Sequence, residues 1–493
     1  MCFISPSRLL AAIAIPALLL LNTGCVVGPN FKQPSAPQVP NYTPQQPNVT
    51  SSTPNVPGGE AQTLVEARDI PGDWWTLFHS KPLNDLIERA LKANPDLKSA
   101  QAALVVAREN TLAQRGYYYP YVSAGFTAAR GKSSADVSPV TFSGALTYSL
   151  YTPQVAVSFV PDVFGLNRRN VEALKAQEQA VRFALVATHI TLSSNVAAAA
   201  IQEAALRGQI DATNELIEIN TKMLQTLRSQ YSKGYATELD VAAQEAQLAQ
   251  TEATLPPLLK QLAQQRDQIA VLAGGFPNQE LPEQFELSSL QLPRELPLTL
   301  PSKLVEQRPD VRQAEENLHT ASALVGVAIA NRLPAFNLTA DAGSMAVILG
   351  HLFTAGFWDL AAGVTQPVYD GKTLLHRERA AKAAYTQAEE QYKSTVLTAF
   401  QNVADTLHAI SQDADGLMKA VDATKAAAVT LALTKRQFDA GYTTSLAVLS
   451  AEQAYQQALL SQVQAQSNRY SDTAALFQAL GGGWWNRSDL PKS

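Results

Sequence analysis

Cysteine is all but missing: only Cys2 and Cys25 occur in 493 residues, so no framework of intrachain disulfides can hold this fold. Histidine is scarce and scattered. His79, His189, His319, His351, His376 and His408 never fall at metal-ligand spacing, and neither a phosphate-cradling loop nor a nucleophile elbow is present. The glycine run Gly481 to Gly483 has no lysine after it and reads as a helix stop. These absences argue against an enzyme and leave no cofactor site. Charge of one sign is lacking too, with 38 lysines and arginines facing 43 acidic residues, and no basic face marks a nucleic-acid partner. Long apolar runs are equally rare. Leu9 to Leu21, about 13 residues interrupted by Pro16, falls short of the roughly 20 that a spanning helix needs. After Cys25 the richest stretch, Val325 to Ala330, is shorter still, so a mature chain that crosses a bilayer is expected to use strands.

What is present begins with an address. Arg8, the apolar run after it and the small residues before Cys25 read as a secretory signal over residues 1–24. A cysteine after Thr23-Gly24 resembles a bacterial lipobox, with Asn22 where leucine is usual. Lipid on the Cys25 thiol and an acyl chain on the freed amine would give a stable membrane anchor, because two or more chains suffice. That covalent lipid is the only non-protein group expected. Residues 25–69, rich in proline, asparagine, glutamine, serine and threonine, read as an extended N-terminal tether.

The body repeats. Asn94-Pro95-Asp96-Leu97 is echoed by Arg308-Pro309-Asp310-Val311, and each opens an alanine-rich helical stretch closed at equal spacing by Pro120 or Pro334. Lys233-Gly234-Tyr235-Ala236-Thr237 returns as Ala440-Gly441-Tyr442-Thr443-Thr444, and Leu272-Ala273-Gly274-Gly275 as Leu480-Gly481-Gly482-Gly483. The first structural repeat is placed at 70–275, an equatorial linker at 276–301, the second repeat at 302–483 and a C-terminal tail at 484–493. Between Pro120 and Gly165 the first copy has the longer loop.

Each copy carries residues of strand period. Val140 to Tyr151 alternates apolar and polar side chains; so do Phe336 to Asp341 and Trp358 to Thr365. Tyr117, Tyr118, Tyr119 and Tyr121 beside the first hairpin, and Phe353, Phe357 and Trp358 beside the second, suit a membrane interface. A soluble antiparallel sheet would alternate in the same way. The helices weigh against that reading. Leu166 to Ser232 holds no proline over about 67 residues, roughly 100 Å of helix. Thr237 to Ala273 with Ser302 to Asn331 returns over a similar span; Leu374 to Asp439, Ser445 to Ala479 and Leu83 to Arg115 repeat the plan. Apolar heptads run through Ile210, Ile217, Leu224 and Tyr231, and through Val463, Tyr470 and Phe477. In the first long helix, Phe183, Val186, Ile190, Ala197 and Ile201 mark one seam; Val171, Leu174, Val181, Leu185 and Leu192 mark another. Two seams call for two neighbours, as in a cylindrical wall; a solid bundle would merge them into one broad stripe. Four strands cannot close a barrel whose smallest transmembrane form has about eight, so subunits are expected to share one.

At this point the residues resemble a family. Cys25-Val26-Val27-Gly28-Pro29-Asn30-Phe31, Trp74-Trp75-Thr76-Leu77-Phe78, Leu83-Asn84-Asp85-Leu86-Ile87, Asn94-Pro95-Asp96-Leu97, Asp162-Val163-Phe164-Gly165 and Gln307-Arg308-Pro309-Asp310-Val311 are similar to the lipoprotein, NodT-type branch of the TolC-like outer-membrane efflux factors. The resemblance covers nearly the whole mature chain. It implies a mainly α fold with β: a homotrimer whose long helices form a 12-helix periplasmic α-barrel continuing into a shared 12-stranded transmembrane β-barrel, four strands per chain. It further implies a periplasmic adaptor and an inner-membrane pump of the resistance-nodulation-division class, with export of drugs or other small toxic molecules. Type I protein secretion, or a non-conducting structural envelope lipoprotein, are the alternatives.

A conduit needs a gate, and the turns at Gly234 and Gly441 are its expected place, at the end of the long helices away from the strands. Tyr231, Asp240, Arg436 and Phe438 are expected to line or latch the periplasmic opening. Asp240 can equally complete a capping box with Thr237, and Tyr231 and Phe438 can equally be coiled-coil core. The second copy has Ala447 where an acid would complete its own box. The turns Gly234-Tyr235-Ala236 and Gly441-Tyr442-Thr443 are the expected adaptor-docking surface.

Overall fold

The computed structural model describes residues 26–45, 48–132, 147–279 and 281–490. Cys25, the signal segment and residues 140–146 of the expected first strand lie outside them. In chain order the elements are β1 (Thr63–Glu66), α1 (Lys81–Ala93), α2 (Pro95–Arg115), β2 (Tyr121–Lys132), β3 (Thr147–Phe159), α3 (Leu166–Ser232), α4 (Glu238–Leu272), β4 (Glu295–Leu298), α5 (Pro301–Gln307), α6 (Pro309–Ala330), β5 (Ala335–Ser344), β6 (Gly356–Thr365), α7 (Thr373–Asp439) and α8 (Ser445–Ala479). The repeat is visible in the lengths. Helices α3 and α7 have 67 residues each, and α4 and α8 have 35 each.

Three expectations need correction. The helices expected from Leu83 to Arg115 and from Ser302 to Asn331 are each broken in two, because a residue before proline is pushed out of the α region. Asn94 and Arg308 take ψ of 127° and 123°. Asn94 then caps α2, its Oδ1 accepting from the Asp96 N–H at 2.8 Å. Tyr231 does not continue the heptad: the buried line on that part of α3 runs through Thr213, Leu216, Asn220, Met223 and Leu227, leaving Tyr231 49% exposed. Finally, α3 does contain an 18-residue window apolar enough to span a bilayer by composition, with mean hydropathy 1.5, although 67% of it is buried within the protein.

The chain divides into two units. The first comprises the described part of residues 1–34 with Leu104–Val181 and Ala314–Tyr392. It holds a four-stranded antiparallel sheet in the order β2-β3-β5-β6. Its N-terminal segment is pinned to helices: Arg169, 2% exposed, donates to the carbonyls of Val27 and Gly28 at 3.0 and 3.2 Å and to Asn30 Oδ1 at 2.9 Å. Gly28, at φ +91°, passes so close to α6 that a β-carbon there would stand 2.4 Å from Gly326 Cα, so only glycine fits.

The second unit comprises Ser35–Ala103, Arg182–Gln313 and Lys393–Ser493. Parallel strands β1 and β4 pair from Thr63↔Glu295 to Glu66↔Leu298. Its core gathers Trp74, Trp75, Phe78, Leu83, Leu86 and Ile87 around α8, where Trp74 stacks on Phe477 with centroids 5.3 Å apart. Both seams of α3 and the line Val463, Tyr470, Phe477 are buried or half-buried. The segment before β1 is fixed by Arg469 on α8, 1% exposed, whose guanidinium donates to the carbonyls of Gly58 at 3.2 Å, Glu60 at 2.8 Å and Ile410 at 3.2 Å. Buried polar groups need such partners, and a buried cation needs them most.

Candidate functional site

Two places carry functional geometry, one in each unit, and the sheet is the first. Residues directly opposite in an antiparallel ladder share a face. The register sets Val122, Ala124, Phe126 and Ala128 against Val157, Val155, Pro153 and Tyr151. It continues with Phe159↔Leu338, Val157↔Ala340 and Val155↔Ala342, and ends with Phe336↔Val364, Leu338↔Ala362, Ala340↔Leu360 and Ala342↔Trp358. One face is therefore apolar across all four strands. The other presents Ser123, Thr127, Gln154, Ser158, Asn337, Thr339, Asp341 and Asp359. Phe126, Trp358, Leu360 and Val364 are exposed in the protomer although all lie on the apolar face. Strands β2 and β6 are edges with no partner strand among the described residues. Strand lengths of 10 to 13 residues match what a tilted transmembrane strand requires, about 9–11. Sequence reading missed β2 because half of its apolar face is alanine, and it missed the run of β3 past Tyr151 because Pro153 looks like a stop.

The second place is the pair of helix turns. Gly234 N–H donates to Tyr231 O at 2.9 Å and Tyr235 N–H to Gln230 O at 2.9 Å; Gly441 N–H donates to Phe438 O at 2.9 Å and Tyr442 N–H to Gln437 O at 2.8 Å. Both are the same helix stop, with glycine at φ +80° and +75°. Tyr235 and Tyr442 stand out 81% and 85% exposed, with Leu239 and Leu446 exposed beside them, while Ala236 and Thr443 complete the turns.

Asp240 forms the capping box: its Oδ2 accepts from the Thr237 N–H at 2.9 Å and the Thr237 hydroxyl at 2.6 Å, and Thr237 Oγ1 accepts from the Asp240 N–H at 3.2 Å. Its other oxygen accepts from the Ser445 hydroxyl at the start of α8. One carboxylate thus ties the two hairpins together. The Ser445 hydroxyl, then the Thr237 side chain and backbone, hold the Asp240 carboxyl below its ordinary range. Because that shift is downward, its contribution is present above the ordinary carboxylate pKa and is lost as pH falls through the lowered one. Phe438 packs against the cluster of Met223, Leu227, Leu431, Val448 and Ala451. Tyr231 and Arg436 face outward. Among the described residues no hydrogen bond or ion pair joins Tyr231, Asp240, Arg436 and Phe438 to one another. Ser445 was missed by sequence reading; the missing acid at Ala447 was the available signal, since it left the second turn in need of another tie.

Behind the turns lies a buried polar layer that periodicity did not disclose. Gln244 Nε2 donates to Asn220 Oδ1 at 2.9 Å, and Lys435 pairs with Glu452, 1% exposed, at 3.0 Å. No group of residues suited to a metal occurs among the described residues.

An antiparallel sheet with one face apolar apart from Arg130, Lys132, Thr147, Ser149 and Ser344 at one end, on a chain of paired long helices ending in matched turns, defines a membrane-embedded channel subunit rather than a soluble coiled coil. The profile of outer membrane efflux proteins matches residues 86–275 and 300–482. Similar relatives include the toluene efflux pump outer membrane protein TtgC of Pseudomonas putida, 28% identical with 98% of this chain and 97% of that one covered. The pyoverdine export outer membrane protein OpmQ of Pseudomonas putida is 28% identical, covering 88% and 93%. Among solved structures, the outer-membrane channel OprN superposes with a TM-score of 0.83 at 25% identity, over 93% of this chain and 100% of that one. The open-state MtrE channel of Neisseria gonorrhoeae gives 0.79 at 24%, over 94% and 100%. The chain belongs to the outer membrane efflux protein family. It is an outer-membrane efflux channel with the TolC-like fold that its sequence suggested.

Proposed function

We propose that three copies close into one conduit, their sheets joined edge to edge in a 12-stranded barrel and their helices in a 12-helix tube. The observation that carries this is the sheet itself: a continuous apolar face bounded by two unpaired edges. Within lipid each unpaired backbone group costs several kcal/mol, and pairing β2 of one copy with β6 of the next satisfies both edges. The conduit exports drugs or other small toxic molecules from the periplasm as the outer-membrane part of a tripartite pump. A periplasmic adaptor docks on the exposed turns around Tyr235 and Tyr442, and an inner-membrane pump of the resistance-nodulation-division class supplies the energy. The chain itself performs no catalysis, and its N-terminus is anchored by lipid on Cys25. Cysteines placed at Tyr235 and Tyr442 should cross-link to the adaptor; capture only from mid-helix positions would count against that docking surface.

Asp240 then serves as one acid per subunit in a ring at the periplasmic opening, with Tyr231 and Arg436 facing the neighbouring copy and Phe438 backing them. The purified protein in planar bilayers should give discrete, cation-preferring conductance. Asp240→Ala should keep the oligomer, weaken cation preference and raise leak, because it removes both the charge and the tie to Ser445. Unchanged selectivity and leak would remove Asp240 from the gate, and absence of any conductance in the wild-type protein would overturn the conduit.

A further inference from the structure

Within the unit that carries the sheet, a cavity of about 570 Å³ opens between the helix-proximal strand ends and helices α2, α3 and α6. That size suits a small molecule, for which sites run from roughly 300 to 1,000 Å³. We infer that this cavity binds an uncharged aromatic solute, giving the conduit wall a resting place for cargo. Of the strand residues that line it, Tyr121, Ser158, Ala335 and Thr365 stand on the polar face of the sheet and Phe336 on the apolar one. Its place in a channel therefore rests on the proposed barrel, with the apolar face toward lipid and the polar face inward.

The chemistry of the lining selects the ligand. Tyr117, Tyr119 and Tyr121 are exposed phenols, and Phe164, Leu333 and Val160 add apolar surface. Aromatic walls favour a flat aromatic guest through stacked and edge-on contacts. Among the described residues no free carboxylate is offered to a cation: Asp162, the one acidic residue in their lining, already accepts from the N–H groups of Asn167 at 2.9 Å and Arg168 at 2.8 Å, and from Arg168 Nε at 3.2 Å.

The test is saturation-transfer NMR on the full protein in lipid nanodiscs, with acetophenone as probe, cyclohexyl methyl ketone as its aliphatic match and empty nanodiscs as the partition baseline. Acetophenone ring protons should show transfer above the baseline, and the aliphatic ketone should not. Tyr119→Ala should cut the acetophenone signal by about threefold or more. The size-exclusion profile of the variant establishes that assembly persists. Transfer equal to empty nanodiscs, equal for the two ketones, or unchanged in the variant would overturn the assignment. Conductance is read separately: binding retained by a protein that does not conduct would uphold the cavity and refute only the conduit.

Discussion

Leu360→Lys is expected to remove the assembled channel from the outer membrane, whereas Ala361→Lys, one residue further along the same strand, should leave it assembled. Leu360 lies midway along β6 on the apolar face, paired with Ala340. A lysine at the middle of a lipid-facing strand costs about 2–4 kcal/mol, and each closed barrel would carry it three times. Ala361 belongs to the opposite face, opposite Thr339, where a charge meets water and alters ion preference instead. The measurement is the heat-labile, SDS-resistant oligomer fraction in outer-membrane extracts. Equal loss in both variants, or equal tolerance, would contradict the assignment of faces.

Arg469→Met should destabilise the second unit by about 3–5 kcal/mol, because the carbonyls of Gly58 and Glu60 lose this donor at once, each at roughly 1–3 kcal/mol, and the helical carbonyl of Ile410 loses a second one. The loss should be felt first in the segment before β1. Arg469→Lys should recover part of the stability, since an ammonium cannot reproduce the planar fork. Thermal unfolding in detergent together with limited proteolysis checks this. Cleavage between residues 35 and 62 should appear in the methionine variant well below its melting temperature. A variant as stable and as protease-resistant as the wild type would show that the guanidinium anchors nothing.

The parts of this molecule that could be read from its sequence are those governed by local rules. The long helices α3 and α7 were legible because proline is missing for some 67 residues in each. The turns were legible because Gly234 and Gly441 each stop a helix and a threonine follows. The wall strands were half legible: Trp358 to Val364 alternates with large side chains, but Val122 to Ala128 alternates with small ones. What could not be read is what joins distant residues. Arg169 and Arg469 are ordinary helix residues until the chain brings the carbonyls of Val27 and Gly58 beside them. Likewise Asp240 looked like a cap or a gate; only the fold reveals that Ser445, more than two hundred residues later, shares it. Tyr231, Asp240, Arg436 and Phe438, expected to line or latch the periplasmic opening, share no hydrogen bond or ion pair with one another among the described residues, and Tyr231 and Arg436 are exposed.

Each chain is proposed to be one third of a tube. Native mass spectrometry of the protein released from detergent measures this directly. The expected result is a single species of three chains, each lighter by residues 1–24 and heavier by the lipid on Cys25. A monomer under conditions that preserve other outer-membrane oligomers would contradict it.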